Sequence, residues 1–206
     1  MIAVHSIEEK ENNSLYGPGK RAVLFTQGCK LKCPGCNNSH LWKREEGKLL
    51  YTREIVGNLK KPEIQGVTIH GGEPTEQAEG LLPVVRELKD AGKDIILFTG
   101  HEIEQLTTPA QRELLDYCDI VKCGPFIEKR LNRFLHFRGS DNQRIIINPK
   151  GALRDYTYKD GTHTVMVTLD RENGTMGING MLDPEMEALL RDYAELNNAL
   201  GAEQQR

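Results

Sequence analysis

Short apolar or β-branched runs recur along the chain at Arg21–Thr26 (RAVLFT), Gly66–His70 (GVTIH), Asp94–Thr99 (DIILFT), Asp119–Cys123 (DIVKC) and Arg144–Asn148 (RIIIN). Each is too short for a helix and too continuously apolar for a sheet wetted on one face, so the pattern predicts buried strands. The first follows the turn-rich Tyr16-Gly17-Pro18-Gly19 and runs into Gly28. Between the second and third, Leu81, Val84, Val85 and Leu88 fall on one helical face, and Gly92 suits a C-cap. A weaker helical pattern, 109–117, separates the third and fourth. Strands alternating with helices imply parallel βαβ units, whose ligands bind at the carboxyl ends of the strands.

The tail breaks this rhythm. Thr162–Leu169 (THTVMVTL) and Thr175–Met181 (TMGINGM) flank Arg171-Glu172-Asn173-Gly174 as the arms of a hairpin flank its turn. Asp183 can then N-cap a helix with Pro184 in its first position, striped by Met186, Leu189, Leu190, Tyr193 and Leu196. A docked helix is the expectation, and a partner-binding helix the alternative. The division expected is a core over 1–154 and a C-terminal extension, hairpin plus helix, over 155–206.

Composition narrows the class. A chain of 206 residues with 38% hydrophobic and 28% charged content can bury one substantial core. Its net charge of −3 gives no general attraction to nucleic acid or to an anionic membrane. Met1–Asn12 has neither the basic start nor the apolar run of a secretory signal, and no stretch approaches the ~20 apolar residues of a membrane span. A cytoplasmic protein is expected. Five cysteines is an odd count, and three crowd between Cys29 and Cys36, which favours a metal site over disulfides.

Those three, Cys29, Cys33 and Cys36, are spaced C-x3-C-x2-C and can converge from one loop onto a four-iron cluster, leaving one iron open to a small molecule. Pro34 and Gly35 help the chain wrap tightly. His40 could instead complete a Cys3His zinc site, which would make the chain a zinc-binding interaction module. At the end of the second run, Gly71 and Gly72 allow a ligand close to the backbone, and Glu73 adds a carboxylate suited to an amino group. Thr99 and Gly100 end the third run and could line the same pocket. Cys118 and Cys123 bracket a buried strand and are expected in the core, the alternative being a second cluster. His70 is either a polar strand end or a proton donor. From Lys122 to Arg154 there are eight Lys or Arg residues against two acids, Glu128 and Asp141. They form a solvated face or else a docking or carboxylate-binding surface, for which Arg138 and Arg144 are the best placed.

In this order the motifs resemble the anaerobic ribonucleoside-triphosphate reductase activating proteins, small members of the radical S-adenosylmethionine (SAM) superfamily. The resemblance covers Tyr16–Trp42 (YGPGKRAVLFTQGCKLKCPGCNNSHLW), Gly66–Thr75 (GVTIHGGEPT), Lys93–Leu106 (KDIILFTGHEIEQL) and Gly124–Ile147. It implies an α/β fold, an incomplete, open parallel βα barrel of the radical SAM type. It further implies a [4Fe–4S] cluster on Cys29, Cys33 and Cys36, with SAM on the open iron and its amino group against Gly71, Gly72 and Glu73. Gly35 and Asn37 would lie against SAM, with Thr99 and Gly100 nearby. One electron would then cleave the sulfonium, and the 5′-deoxyadenosyl radical would take a hydrogen atom from a glycine of the partner reductase. A flavodoxin- or ferredoxin-type protein would supply that electron. The chain departs from the family's pattern at Asn37, where an aromatic is common, at Cys123, where Asp is usual, and in its tail. The resemblance also leaves a small-molecule radical SAM enzyme, similar to 7-carboxy-7-deazaguanine synthase, and an activase of another glycyl radical enzyme as alternatives.

Overall fold

The computed structural model describes residues 1–10, 15–161, 165–170, 175–180, 182, 185, 186 and 188–191. The apolar runs build most of a seven-stranded open sheet: β1 (Ile2–Lys10), β2 (Arg21–Thr26), β3 (Lys48–Leu50), β4 (Gly66–Gly71), β5 (Asp94–Phe98), β6 (Ile120–Cys123) and β7 (Arg144–Ile147), in the order β3-β1-β2-β4-β5-β6-β7. The four central strands, β2, β4, β5 and β6, are parallel neighbours, with Phe25 opposite His70 and Phe98 opposite Lys122. Their carboxyl ends therefore lie along one rim of the sheet.

Three helices, α1 (Thr52–Leu59), α2 (Ala78–Asp90) and α3 (Pro109–Asp116), contribute to one core cluster. There Ile55 and Leu59, Leu81, Val85 and Leu88, and Leu114 pack with Leu24, Val67, Ile69, Ile95 and Leu97 of the strands, each 0% exposed. At about 1.5–3 kcal/mol for each large apolar side chain, this layer is the main source of stability. α3 begins as its sequence dictates: the Thr108 hydroxyl accepts from Gln111 N–H at 3.2 Å, and Pro109 fills the first turn.

The other sheet face carries Arg21, Thr68, His70, Phe98 and Lys122, and Ile96, Phe98 and Ile120 pack there against Phe137, Ile145, Ile147, Leu153 and Tyr156. Arg21 is wholly buried, donating to Thr68 Oγ1 (3.0 Å) and to Asp94 Oδ1 (2.6 Å). Burial still holds the Asp94 carboxyl above its ordinary range, outweighing the attraction of Arg21.

Four elements depart from the sequence expectation. β7, read as one more strand of the βαβ series, runs antiparallel to β6. The 124–143 connection holds a 3-10 turn (Glu128–Arg130) and a lone antiparallel bridge between Leu131 and Ser140 but no crossover helix, and Gln143 Nε2 ties it back to Gly124 O at 2.8 Å. A chain without a crossover can return only antiparallel. β1 was not anticipated, because only its first residues are apolar before the polar end Glu8-Glu9-Lys10; it pairs antiparallel with both β2 and β3. β3 also went unread, being only three residues long, as did α1, whose eight residues bury only Ile55, Val56 and Leu59.

The contacts divide the chain into Met1–Thr162, described above, and His163–Arg206. In the second unit β8 (Val165–Asp170) and β9 (Thr175–Gly180) pair antiparallel, Val165 with Gly180 and Asp170 with Thr175, as expected of a hairpin. Residues 185, 186 and 188–191 are helical. The expected turn 171–174, the Asp183 cap, Pro184, Tyr193 and Leu196 lie outside the described residues. Among the described residues no helix is long and apolar enough to cross a membrane.

Candidate functional site

The rim formed by the ends of β2, β4, β5 and β6 gathers the motif residues. β2 leads through Gln27 and Gly28 into the cysteines, and the loop returns to its own start. Gly28 N–H donates to Leu41 O (2.8 Å) and Cys29 N–H to Trp42 O (3.0 Å), so the cysteines sit on a segment whose two ends meet. Gln27, 1% exposed, braces this neck from inside by donating through Nε2 to His40 O and Lys43 O, both at 3.0 Å. Within the loop Cys33-Pro34-Gly35-Cys36 is a tight turn, closed by Cys36 N–H to Cys33 O at 3.2 Å. Gly35 has φ +70°, which the third position of such a turn requires, and a Cβ there would lie 2.8 Å from the Glu128 carboxylate.

All three thiols are free and half-buried. Burial raises the Cys29 thiol above its ordinary value; the backbone N–H groups of Leu31 and Lys32 oppose the shift, and Glu73 and Glu76 add to it. A bound metal would displace that proton. Asn37 is exposed on the same loop.

The end of β4 is sewn to this loop. Gly72 N–H donates to Thr26 O and Glu73 N–H to Gly28 O, both at 2.8 Å. A Cβ on Gly72 would stand 2.2 Å from Gly28 O, a backbone atom that cannot give way, so the sequence needs glycine there for close approach. Glu73 is 0% exposed. Its Oε1 accepts from Thr75 N–H (3.0 Å), Thr75 Oγ1 (2.6 Å) and Thr99 Oγ1 (2.8 Å), and its Oε2 accepts from Gly100 N–H (2.7 Å). Four donors satisfy the buried carboxylate and lock the end of β5 to that of β4. Leu31 of the cysteine loop in turn rests over Gly100. Thus Cys29, Cys33, Cys36, Gly71, Gly72, Glu73, Thr99 and Gly100 are brought to one rim.

Behind them lies an aromatic row. The His70 ring stands 5.6 Å from Phe25, 5.0 Å from Phe98 and 6.3 Å from Tyr16, centroid to centroid. Burial, with repulsion from Lys122, pushes its pKa down to about 3, so it is neutral near pH 7 and serves the row as an uncharged ring.

Among the described residues no three His, Cys, Asp or Glu side chains form a group that could hold a single metal ion. His40, the fourth ligand of the zinc alternative, sets its ring edge-on to His5 at 5.3 Å. A four-iron cluster makes a different demand, with each thiolate on its own iron, and three half-buried thiols on a pre-closed loop fit it. Cys118 and Cys123 are core residues, 2% and 0% exposed. Arg138 is paired with Asp160 (2.6 Å), and Arg144 with Glu102 (2.9 Å) and Glu104 (2.8 Å). The two arginines singled out for docking are thus engaged by the chain's own acids.

The sequence reading overlooked Thr75, whose place directly after Gly-Gly-Glu-Pro was its only signal. It also missed the Gln27–Gln77 brace, in which Gln77 Nε2 donates to Gln27 O at 3.1 Å. Lys122 was counted only as part of a basic stretch, although a lysine interrupting an apolar strand is a signal in itself.

The chain is similar in sequence to known proteins. The profile of a family described as a 4Fe-4S single cluster domain matches residues 15–146. The anaerobic ribonucleoside-triphosphate reductase-activating protein of Enterobacteria phage T4 is 38% identical over 144 residues, covering 66% of this chain and 89% of that protein. The protein of the same name from Haemophilus influenzae is 37% identical over 138 residues (63% and 88%), and that of Escherichia coli K12 is 32% identical over 137 residues (62% and 88%). A crystal structure of QueE from Escherichia coli aligns over 59% of this chain and 69% of that one, at 17% identity and a TM-score of 0.41. On the length and identity of the matches to these three reductase-activating proteins, the chain belongs to the family of anaerobic ribonucleoside-triphosphate reductase-activating proteins.

Proposed function

We propose that the chain is a radical SAM activase that generates a glycyl radical on an anaerobic ribonucleoside-triphosphate reductase. One observation carries this reading: the cysteine loop and the Gly71-Gly72-Glu73 corner meet at Gly28, whose N–H closes the loop and whose C=O receives Glu73 N–H. A thiol-bearing loop and a glycine corner joined in this way, in a chain of this family, suit a cluster and an amino-acid cosubstrate bound side by side.

Cys29, Cys33 and Cys36 would hold a [4Fe–4S] cluster. The backbone of Gly71 and Gly72 would receive the amino group of SAM. Glu73 would act by fixing that backbone, since its carboxylate is already held by Thr75, Thr99 and Gly100. Gly35 and Asn37 would flank the cosubstrate from the cysteine loop, and Thr99 and Gly100 from the end of β5. When bound, the cluster supplies the electron that splits the sulfonium C–S bond, giving methionine and a carbon radical that takes a hydrogen atom from a glycine of the reductase. The chain's part is to orient the two groups and keep water from the radical. β2, β4, β5 and β6 then correspond to part of an open βα barrel of the radical SAM type, with 155–206 as an extension. The electron donor is a flavodoxin- or ferredoxin-type protein, and the setting is the cytoplasm.

The test is anaerobic reconstitution of the full chain with iron and sulfide, followed by SAM, a low-potential reductant and an anaerobic reductase. A brown protein that releases 5′-deoxyadenosine and leaves a glycyl radical signal on the reductase is the expected result. A colourless protein, or one that cleaves SAM without radical transfer to any such reductase, overturns the assignment.

A further inference from the structure

Lys122 is the unexplained group of this rim. It lies on β6, directly opposite Phe98 of β5, and is 9% exposed. Its Nζ stands 5.4 Å from the centroid of the Phe98 ring, and among the described residues its side chain forms no ion pair or hydrogen bond. Burying an ammonium without an acceptor is costly, and a ring face returns only part of that cost.

Burial holds the Lys122 pKa below its ordinary value, and the negative charges of Glu73, Cys123, Cys33 and Cys36 oppose that shift; the neutral His70 ring lies close enough to feel the ammonium. Glu73 already has four donors and does not require a fifth. Cys123 belongs to the helix-side core. The remaining pair is Cys33 and Cys36, on the loop that carries the candidate cluster ligands.

We propose that Lys122 is an electrostatic tuning residue of the cluster held by Cys29, Cys33 and Cys36, its buried ammonium favouring the one-electron-reduced state. The inference rests on the cluster assignment made under the proposed function. Reduction adds one negative charge beside these thiolates, and a fixed cation screened from water lowers the free energy of that added charge. The potential is therefore higher with Lys122 than without it. The electron comes from a one-electron donor, and no bond is made or broken at Lys122, which acts through space and touches no reacting atom.

The experiment compares the full chain with its Lys122→Met and Lys122→Arg variants, each reconstituted anaerobically, in a redox titration followed by the electron paramagnetic resonance of the reduced cluster. Lys122→Met should lower the reduced-to-oxidised ratio at fixed potential about tenfold, a shift of about 59 mV for one electron, and Lys122→Arg should stay near the wild type. A Met variant with an intact cluster and an unmoved potential overturns the proposal. If the Met variant takes up no cluster, Lys122→Gln provides the same neutral comparison. A second readout needs no cluster: in urea unfolding of the apo chain, Lys122→Met should be at least as stable as wild type. A clear loss of stability would make Lys122 the structural counter-ion of Glu73 and overturn the proposal. Wild-type protein that assembles no iron–sulfur cluster would sink the assignment beneath it, an outcome distinct from a coloured protein with unchanged potential.

Discussion

Glu73 Oε2 and the backbone N–H of Gly100 are joined by a 2.7 Å hydrogen bond that ties the carboxyl end of β4 to that of β5. With the three bonds to Oε1, it makes a fully buried carboxylate the fastener of the rim. Glu73→Ala would strand three buried donors, on Thr75 and Thr99, and the half-buried Gly100 N–H, at about 1–3 kcal/mol for each buried donor left unsatisfied. The apo chain should therefore lose at least about 3 kcal/mol in urea unfolding, and Glu73→Gln should fall between. Stability like that of the wild type would show that the rim does not depend on this carboxylate.

The cysteines should behave in the opposite way. All three are half-buried on a loop closed by backbone bonds, so Cys33→Ala removes little packing. Iron and sulfide content after anaerobic reconstitution should fall to background, while far-ultraviolet circular dichroism and the unfolding midpoint of the apo chain stay unchanged. Retention of iron and sulfide by the variant would exclude Cys33 as a ligand.

Two glycines make a paired prediction. A Cβ on Gly57, on the exposed side of α1, meets nothing within 4 Å, whereas a Cβ on Gly72 meets Gly28 O at 2.2 Å. Gly57→Ala should stabilise the chain by about 1 kcal/mol through helix propensity. Gly72→Ala should destabilise it by more than about 2 kcal/mol, because backbone must move. Equal effects of the two substitutions in chemical denaturation would contradict the close approach of β4 to the cysteine loop.

The His70 ring, with its pKa down at about 3 from the ordinary 6.5, predicts a pH dependence. Between those values the unfolded chain takes a proton on this residue and the folded chain does not. Stability is thus lost as pH falls through this window, at about 1 kcal/mol per pH unit from this group. His70→Phe abolishes that contribution. The unfolding free energy of the variant relative to wild type should rise by about 2 kcal/mol between pH 7.5 and pH 5. A difference that stays constant with pH would mean the imidazole is not held neutral.

Much of this architecture could be read from the chain before folding. RAVLFT, GVTIH, DIILFT and DIVKC announce themselves because strands covered on both faces cannot carry many polar residues, and they did become the parallel centre. The antiparallel flanks could not be read in the same way. β1 is half polar, and the direction of β7 is decided by a connection whose lack of a helix shows only in three dimensions. The rim shows the same split. Cysteine spacing and Gly-Gly-Glu-Pro mark the site by composition, but the finding that Glu73 looks inward to Thr75, Thr99 and Gly100 depends on contacts between strands. So does the isolation of Lys122 over Phe98, since a charge count along the chain cannot distinguish a solvated lysine from a buried one.

The neck of the cysteine loop bears on recovery from loss of the proposed cluster. Its two bonds, Gly28 to Leu41 and Cys29 to Trp42, run from backbone to backbone and owe nothing to the thiols. With the three cysteines as the proposed cluster ligands, a molecule that lost its iron would thus keep a shaped socket instead of a loose strand. Rebuilding the cluster would then ask for iron, sulfide and reducing equivalents, without refolding.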